Sequence, residues 1–245
     1  MNVKPNIIIK DDPTILAVAA AEIFTRSAKE SISRKDSFTV AISGGSTPRT
    51  THRLLAEEPY CSDIPWEKIH IFWVDERCVP KDDEASNYGA VEKDLLDKIP
   101  IYPDHVHLIP VEDPPEESAM RYQEELMEFF QLEKSGVPAF DLIFLGIGKD
   151  GHTASLFPGH EALEEDKRLI VAVNGGDPCV SRITMTYLVI NHARQIVFMV
   201  SGKGKSQVLK TVFENRKDLL PAQRVRPSQG KMIWLLDKEA ASLVN

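Results

Sequence analysis

The feature that most constrains the fold is a series of short, continuously apolar segments that run directly into glycine-rich loops. The clearest is FDLIFLGIGKDGHTASLFPG, residues 140–159, where the run Leu142–Leu145 leads into glycines at positions 146, 148 and 151. Similar runs occupy residues 38–42, 69–74 and 195–200. Strands that are apolar along their whole length are typical of a parallel sheet covered on both faces. The chain is therefore expected to contain such a sheet.

Helical patterns separate these strands. Asp12 and Pro13 fit the N-cap and first position of a helix that extends to about residue 31, and Thr47 and Pro48 fit the same positions of a helix directly after two glycines. Further helices are predicted over residues 87–97 and 116–132, after residue 205 and at the C-terminus, and further strands over residues 6–10, 105–109, 169–173, 182–186 and 231–236. This alternation predicts one α/β domain over residues 1–245, with a single doubly wound, mostly parallel, Rossmann-like sheet and helices on both faces.

Composition excludes several classes of protein. The net charge of −8 argues against a broad basic surface for nucleic acid, and it means that an anionic ligand would need positive charge concentrated locally. The three cysteines, at positions 61, 78 and 179, have neither the spacing of a zinc site nor the even number of a disulfide framework. The first apolar run is too short for a signal peptide, and none approaches the length of a membrane span. We therefore expect a reduced, cytoplasmic protein.

The glycines indicate where a ligand would bind. Ten of the 13 lie at positions 44–45, 146–159, 175–176 and 202–204, and three of these four places directly follow predicted strands. Glycine is enriched where the backbone turns sharply or approaches a ligand closely. In open α/β sheets, ligands bind beyond the carboxyl ends of the strands. These loops are therefore expected to converge on one site.

The segment SGGSTP, residues 43–48, is typical of an anion-binding turn. Backbone N–H groups of the glycine turn at Gly44 and Gly45 and the start of the following helix would favour negative charge. The hydroxyls of Ser43, Ser46 and Thr47 can also donate to an anion. The segment lacks the spacing and lysine of a P-loop and is not GxGxxG, so it favours a single phosphate on a small molecule over a nucleotide. The alternative is a tight turn followed by an N-cap.

Three cations follow or enter predicted strands beside glycine loops. Arg77 and Arg182 could each supply a planar fork for phosphate, and Lys205 in SGKGKS could supply a point charge. For each arginine the alternative is an ion pair with a carboxylate, Asp75 or Glu76 in the case of Arg77. For the lysines the alternative is a solvated position, which we favour for Lys203.

His152 is the candidate general base. It lies on the glycine loop after the buried strand, and its near-neutral intrinsic pKa suits acid–base chemistry. Asp150, two residues earlier, could orient it or act separately. The alternative for His152 is a structural hydrogen bond. The remaining histidines lack this context and are expected to be structural or on the surface: His52, His70, His105, His107, His160 and His192.

Several motifs together carry a resemblance to a known family. The segment GIGKDGHTASLFPG resembles the signature of the 6-phosphogluconolactonases. Other motifs of that family occur here in the family's order, and together they cover about residues 38–209: AISGGSTPR, WVDERCVP followed by SNYGA, RITMTYLVINHAR and VSGKGKS. The related glucosamine-6-phosphate deaminases resemble the chain in fewer segments. They have a glutamate where this chain has Phe157 and tend to have a tyrosine where it has Arg77, so both residues favour the lactonase. The loop GDPCVS before Arg182 departs from the proline-rich pattern of the lactonases.

The resemblance implies a sugar-phosphate isomerase-like fold and hydrolysis of 6-phosphogluconolactone in the oxidative pentose phosphate pathway. It implies that His152 activates water with Asp150 nearby, and that Asp75 places either the sugar hydroxyls or the histidine. The phosphate is then expected to contact Gly44, Gly45, Ser46, Thr47, Arg77, Arg182 and Lys205.

No cofactor and no metal are expected, and the expected partner is the small sugar-phosphate lactone alone, with no nucleic acid, no membrane and a monomeric chain. Two alternatives stay open. One is a glucosamine-6-phosphate deaminase or related sugar-phosphate isomerase in which Asp75 moves a proton. The other is a non-catalytic sugar-phosphate sensor, against which His152 argues.

Overall fold

A seven-stranded parallel sheet forms the centre of the computed structural model, which describes residues 6–214 and 219–244. Every strand pair within this sheet is parallel. All residues of the second and sixth strands are buried, so both faces of the sheet are covered there. The prediction of a mostly parallel sheet is therefore confirmed. The strands, in spatial order, are β1 (Asn6–Lys10), β10 (Lys231–Asp237), β9 (Gln195–Val200), β6 (Leu142–Leu145), β2 (Phe38–Ile42), β3 (Ile69–Trp73) and β5 (Val106–His107).

Seven α-helices accompany the strands in the described part of the chain. The first begins as predicted: Asp12 is its N-cap, with Oδ1 accepting a hydrogen bond from the Ile15 N–H at 2.9 Å, and Pro13 is its first residue. It continues to Lys35 and ends at Asp36, whose φ of 61° leaves the helical region. The helices are α1 (Pro13–Lys35), α2 (Ser46–Leu55), α3 (Tyr60–Asp63), α4 (Asn87–Asp94), α5 (Pro115–Phe129), α6 (Tyr187–Ile190) and α7 (Ser206–Glu214).

Several helix boundaries differ from the sequence prediction. Helix α1 extends past residue 31 to Lys35, and α5 ends at Phe129 instead of residue 132. Helix α2 begins at Ser46, not after Thr47, because Gly45 takes the N-cap position with a φ of 104° and no side chain caps the helix. Helix α4 ends at Asp94, three residues early, because Leu95 turns away with a φ of −135°. At the C-terminus the predicted helix is a short 3₁₀ turn over Ala240–Leu243.

A second, antiparallel sheet was not anticipated from the sequence. It consists of β4 (Asp75–Arg77), β8 (Val180–Met185) and β7 (Ile170–Gly175). Val74 joins the two sheets, since its N–H donates to Ile42 O at 2.9 Å while its carbonyl accepts from the Met185 N–H at 2.8 Å. The chain after β3 therefore leaves the central sheet within one residue and enters the second sheet.

The strand order determines where the loops meet. Strands β9, β6, β2 and β3 are neighbours, so the segments that begin at Ser201, Gly146, Ser43 and Val74 emerge side by side at one edge of the sheet. The second sheet, which the chain enters directly after β3, contributes further residues to this edge, among them Arg77 and Arg182. Among the helices of the described residues, none combines the length and apolar character needed to cross a membrane.

Candidate active site

A cavity of about 1000 Å³ lies at the carboxyl ends of the central strands. Cavities of this size are typical of small-molecule sites. The structure brings every residue that the sequence singled out to this one cavity. Its lining includes Gly44, Gly45, Ser46, Thr47, Asp75, Arg77, Asp150, His152, Arg182 and Lys205.

His152 and Asp150 form a close pair on the loop after β6. The His152 Nδ1 atom lies 2.6 Å from Asp150 Oδ1, and the same carboxylate oxygen accepts from the His152 N–H at 3.2 Å. Gly148 makes this arrangement possible, because a Cβ there would lie 2.1 Å from Nδ1. Since Asp150 engages Nδ1, Nε2 is the ring nitrogen left to take a proton.

Asp150 is held in its ionised form. Partial burial opposes ionisation, but the His152 backbone N–H and then the imidazole outweigh it, so the pKa of Asp150 is lowered. An ionised Asp150 is a hydrogen-bond acceptor at both oxygens. It therefore assigns the proton on His152 to Nδ1 and orients the ring, as the carboxylate of a catalytic triad does.

Asp75 is a buried carboxylate at the cavity wall, 5% exposed. Its Oδ2 accepts a hydrogen bond from Ser155 Oγ at 2.6 Å, and the Ser155 N–H donates to Thr184 Oγ1 at 3.2 Å. Ser155 thus links the histidine loop to β4 and β8. Sequence reasoning missed Ser155, since a serine three residues after His152 carries no signal that it faces a carboxylate 80 residues earlier.

Arg77 and Arg182 are opposite each other in the register of β4 and β8. Arg182 is 4% exposed, and its guanidinium donates to the carbonyl oxygens of Gly175 at 2.8 Å and Pro178 at 3.0 Å. Burial, followed by the charge of Arg77, lowers the pKa of Arg182. Desolvated guanidiniums that face each other favour an anion between or beside them.

Neither arginine forms the carboxylate ion pair that was the alternative for it, as far as the described residues show. Arg77 Nη1 donates to Ala85 O at 2.8 Å and to Asn87 Oδ1 at 2.5 Å. The Arg77 Nε atom is buried and has no hydrogen-bond partner within residues 6–214 and 219–244. A buried donor without a partner costs about 1–3 kcal/mol, which a bound anion would recover.

The SGGSTP turn presents backbone donors to the same cavity. Because no side chain among residues 6–214 and 219–244 caps α2, the N–H groups of its first turn are available to bind an anion. Thr47 Oγ1 lies 3.0 Å from Ser201 Oγ, which ties the turn to the end of β9. The prediction that the Ser43 hydroxyl would donate to the anion is wrong, since this hydroxyl donates to Phe144 O at 2.8 Å within the sheet.

Lys205 enters the cavity from the segment after β9. Its Nζ donates to Ile147 O at 2.6 Å, beneath the histidine loop. Burial, followed by the charge of Lys149, lowers the pKa of Lys205, whereas Asp150 acts in the opposite direction. Lys203 is exposed, as expected.

Glu76 and Asn87 organise the arginine side of the site. Sequence reasoning named Glu76 only as a possible ion-pair partner of Arg77, and it assigned Asn87 no role. The buried Glu76 carboxylate accepts from the N–H groups of Arg77 at 2.7 Å, Asn87 at 2.8 Å and Tyr88 at 2.6 Å. The Asn87 amide donates to Asp75 O at 2.8 Å while its oxygen accepts from Arg77. The start of α4 is thereby fixed against β4. The serine N-cap before Asn87 was the available signal for a helix start, but not for this contact.

Phe157 packs between the two halves of the site. Its ring centroid is 4.9 Å from that of His152, and the Arg182 guanidinium carbon is 5.6 Å from it. A Cβ on Gly176 would lie 2.9 Å from its Cζ atom, so the loop before β8 closes tightly over the ring. The residue at position 157 that contacts the histidine is thus an apolar ring, and the carboxylate partner of the histidine is Asp150.

One of the other histidines also lines the cavity. His160, expected to be structural or exposed, does so while its Nδ1 accepts from the Ala162 N–H at 3.1 Å. His52 is buried away from the cavity, where burial lowers its pKa to about 4. His70, His105 and His107 pack against one another beside Glu125.

Comparison with known proteins gives consistent matches. The family model described as glucosamine-6-phosphate isomerases/6-phosphogluconolactonase matches residues 11–234. A 6-phosphogluconolactonase from Synechocystis sp. is 40% identical over 96% of this chain and 97% of its own length, and one from Nostoc sp. is 37% identical over 98% of each. The solved structure of 6-phosphogluconolactonase from Trypanosoma cruzi is similar, with a TM-score of 0.89 at 30% identity, covering 100% of this chain and 98% of that one.

Proposed function

Because this chain belongs to the family of glucosamine-6-phosphate isomerases and 6-phosphogluconolactonases, we propose that it hydrolyses 6-phospho-D-glucono-1,5-lactone to 6-phospho-D-gluconate, a step of the oxidative pentose phosphate pathway. One observation carries the proposal. A histidine–aspartate pair, the buried Arg182 and the half-buried Arg77 line the same cavity, and among the described residues neither arginine has a carboxylate partner.

The phosphate binds at the arginine side. Arg77 and Arg182 offer planar guanidinium forks, and the unfilled Arg77 Nε gains a partner. The N–H groups at the start of α2, around Gly45 and Ser46, add partial positive charge. Lys205 supplies a further cation from the β9 side. This local concentration of positive charge overcomes the net charge of −8.

His152 is the general base. Its Nε2 takes a proton from water as the water oxygen attacks the lactone carbonyl carbon, and Asp150 stabilises the imidazolium that forms. The tetrahedral intermediate then collapses, the bond from that carbon to the ring oxygen breaks, and the ring oxygen takes the proton from His152. The products are a carboxylic acid, which ionises, and a free hydroxyl group. Backbone N–H groups of the glycine loops supply the donors that the oxyanion needs.

Asp75 positions the substrate. Its carboxylate is buried at the cavity wall and is held at Oδ2 by Ser155. A carboxylate can accept hydrogen bonds from two neighbouring sugar hydroxyls, which fixes the ring relative to His152. The same position would allow Asp75 to move a proton in an isomerase. Phe157 favours hydrolysis, because a deaminase would need a second polar group at the histidine where this ring lies.

The decisive experiment compares two reactions on the purified full chain. Release of 6-phosphogluconate from freshly prepared lactone is measured above the spontaneous rate, and release of ammonia is measured from glucosamine 6-phosphate. We expect lactone hydrolysis and no ammonia. Ammonia release without lactone hydrolysis would reverse the assignment to a deaminase, and phosphosugar binding with neither reaction would indicate a sensor.

A further inference from the structure

A second, smaller cleft opens at the opposite edge of the central sheet. It has a volume of about 390 Å³ and is lined by residues at the amino ends of three strands. Asp141 directly precedes β6, Arg194 directly precedes β9 and Lys231 is the first residue of β10. The proposed active site lies at the carboxyl ends of the same strands, so the two cavities are separated by the length of the sheet.

Asp141 is the central carboxylate of this cleft, and its two oxygens have different partners. Oδ2 accepts from Thr39 N–H, Thr39 Oγ1 and Lys35 Nζ, each at 2.9 Å. Oδ1 lies farther from two guanidiniums, at 3.4 Å from Arg34 Nη2 and 3.6 Å from Arg194 Nε. The second distance is too long for a hydrogen bond. The Asp141 side chain is 4% exposed, so its position is fixed.

The guanidiniums of Arg34 and Arg194 therefore lie close together near Asp141, but most of their donors lack a hydrogen-bond partner among the described residues. Lys35 already balances the charge of Asp141, and the Arg34 and Arg194 side chains stay more than half exposed, at 59% and 55%. Within the described residues, no other hydrogen bond is made by either guanidinium. Guanidinium forks with open donors bind phosphate or carboxylate bidentately.

The backbone of a third cationic residue, the exposed Lys231, is fixed beside them. The Lys231 N–H donates to Arg194 O at 2.9 Å, which places the start of β10 against Arg194. This approach requires Gly230, because a Cβ there would lie 2.1 Å from Ala193 O. Glu30 is the other carboxylate of the lining besides Asp141. Counting Lys35, four cations surround two carboxylates in a chain with a net charge of −8.

We propose that this cleft is a second anion-binding site, in which Arg34 and Arg194 hold a phosphate dianion together with Lys231. The ligand is either free phosphate or the phosphate of a small phosphomonoester, since both present the same oxygen atoms to the two forks. The site is independent of the proposed hydrolysis, because it shares no residue with the active-site cavity.

A site-resolved titration tests this. Backbone amide NMR spectra of the full chain are recorded with increasing phosphate, and separately with glucose 6-phosphate, at constant ionic strength adjusted with NaCl. We expect saturable shifts at the amides of Arg194, Gly230 and Lys231 that are distinct from those at Gly44 and Gly45. Arg194→Gln should lower the phosphate affinity measured at the cleft amides by about tenfold or more. The shifts at Gly44 and Gly45 should stay unchanged.

Arg26→Gln is the matched control, because Arg26 is an exposed arginine of the same helix α1 outside the cleft. It should leave both sets of shifts unchanged. Should Arg194→Gln fail to fold, Arg34→Gln and Arg194→Lys replace it, and each should still weaken cleft binding. Saturation with only one ligand identifies the source of the phosphate and supports the site. Linear shifts without saturation for both ligands would overturn it. Cleft affinities of the Arg194 and Arg34 variants equal to that of the wild type would overturn it as well.

Discussion

The Oδ1 atom of Asn87 lies 1.8 Å from the position that a Cβ on Gly44 would occupy. The glycine turn of the proposed phosphate site and the first residue of α4 therefore fit together without space for a side chain. Through Asn87, this contact continues to Arg77, whose Nη1 donates to the same oxygen. The two sides of the proposed phosphate site are thus mechanically coupled.

Gly44→Ala should raise KM by about tenfold or more, because Asn87 must shift and release Arg77. In an Asn87→Ala background the nearest atom of residue 87 is its Cβ at 3.1 Å instead of Oδ1 at 1.8 Å, so the second substitution should cost less than it does in the wild type. The coupling is read from KM in a double-mutant cycle. Gly204→Ala, where a Cβ would make only an ordinary contact at 3.8 Å, is the stability control. Additive effects of the two substitutions would contradict the coupling.

His152→Ala should lower kcat by about 10²–10⁴-fold, since removal of a general base costs that much, while binding of 6-phosphogluconate persists. Asp150→Asn should lower kcat less, because it disturbs the tautomer and orientation of the ring but keeps the imidazole. His192→Ala, at an exposed histidine outside the proposed active-site cavity, is the matched control. Turnover of His152→Ala close to that of the wild type would remove His152 from the mechanism.

Arg77→Ala and Arg182→Ala should each raise KM for the lactone by about 10–100-fold, with a smaller effect on kcat, because each removes a charge-assisted contact to the phosphate. Arg182→Lys keeps the charge and loses the fork, so it should recover only part of the affinity. The measurement is KM together with the Kd for 6-phosphogluconate. If both constants stay unchanged in the Arg77 variant, the phosphate binds elsewhere.

Sequence patterns identified those parts of the structure that depend on local chemistry. The apolar run Leu142–Leu145 is a buried parallel strand, and Asp12 caps a helix whose first residue is Pro13. Convergence of the loops also followed, because the carboxyl ends of parallel strands meet at one edge. These features are determined within a few residues or by a general rule of topology.

The remaining features depend on contacts between distant segments. The hydrogen bond from Ser155 to Asp75 joins residues 80 positions apart, and the antiparallel pairing of β4 with β8 joins segments about 100 residues apart. The N-cap of α2 was predicted wrongly at Thr47, because the φ of 104° at Gly45 begins the helix earlier than the Thr-Pro pair indicates. No periodicity in the sequence encodes such pairings.

Stability should fall in acid, chiefly through His52. Burial lowers the pKa of His52 to about 4, and both ring nitrogens are buried without a partner in the described part of the chain. The unfolded chain takes up the proton near pH 6.5, so the folded state loses about 2–3 kcal/mol as the pH falls from 6.5 to 4. His70, whose pKa is also lowered to about 4, acts in the same direction.

His52→Leu should reduce this pH dependence, and it should raise Tm at neutral pH because it removes two unsatisfied buried nitrogens at similar volume. Chemical unfolding at pH 7, 5.5 and 4.5 measures the effect. The exposed His192→Leu serves as control and should leave the slope with pH unchanged. An identical slope in the wild type and in His52→Leu would show that His52 is not responsible.

Ser155→Ala should separate the two roles open to Asp75. The substitution removes the hydroxyl that donates to Asp75 Oδ2 at 2.6 Å and leaves a buried carboxylate with one fewer partner. If Asp75 positions the sugar, its displacement should raise KM by about tenfold and change the pH dependence of kcat little. Ser155→Thr keeps the hydroxyl and should recover most of the affinity. A large loss of kcat with unchanged KM would instead mean that Asp75 transfers a proton in the rate-limiting step.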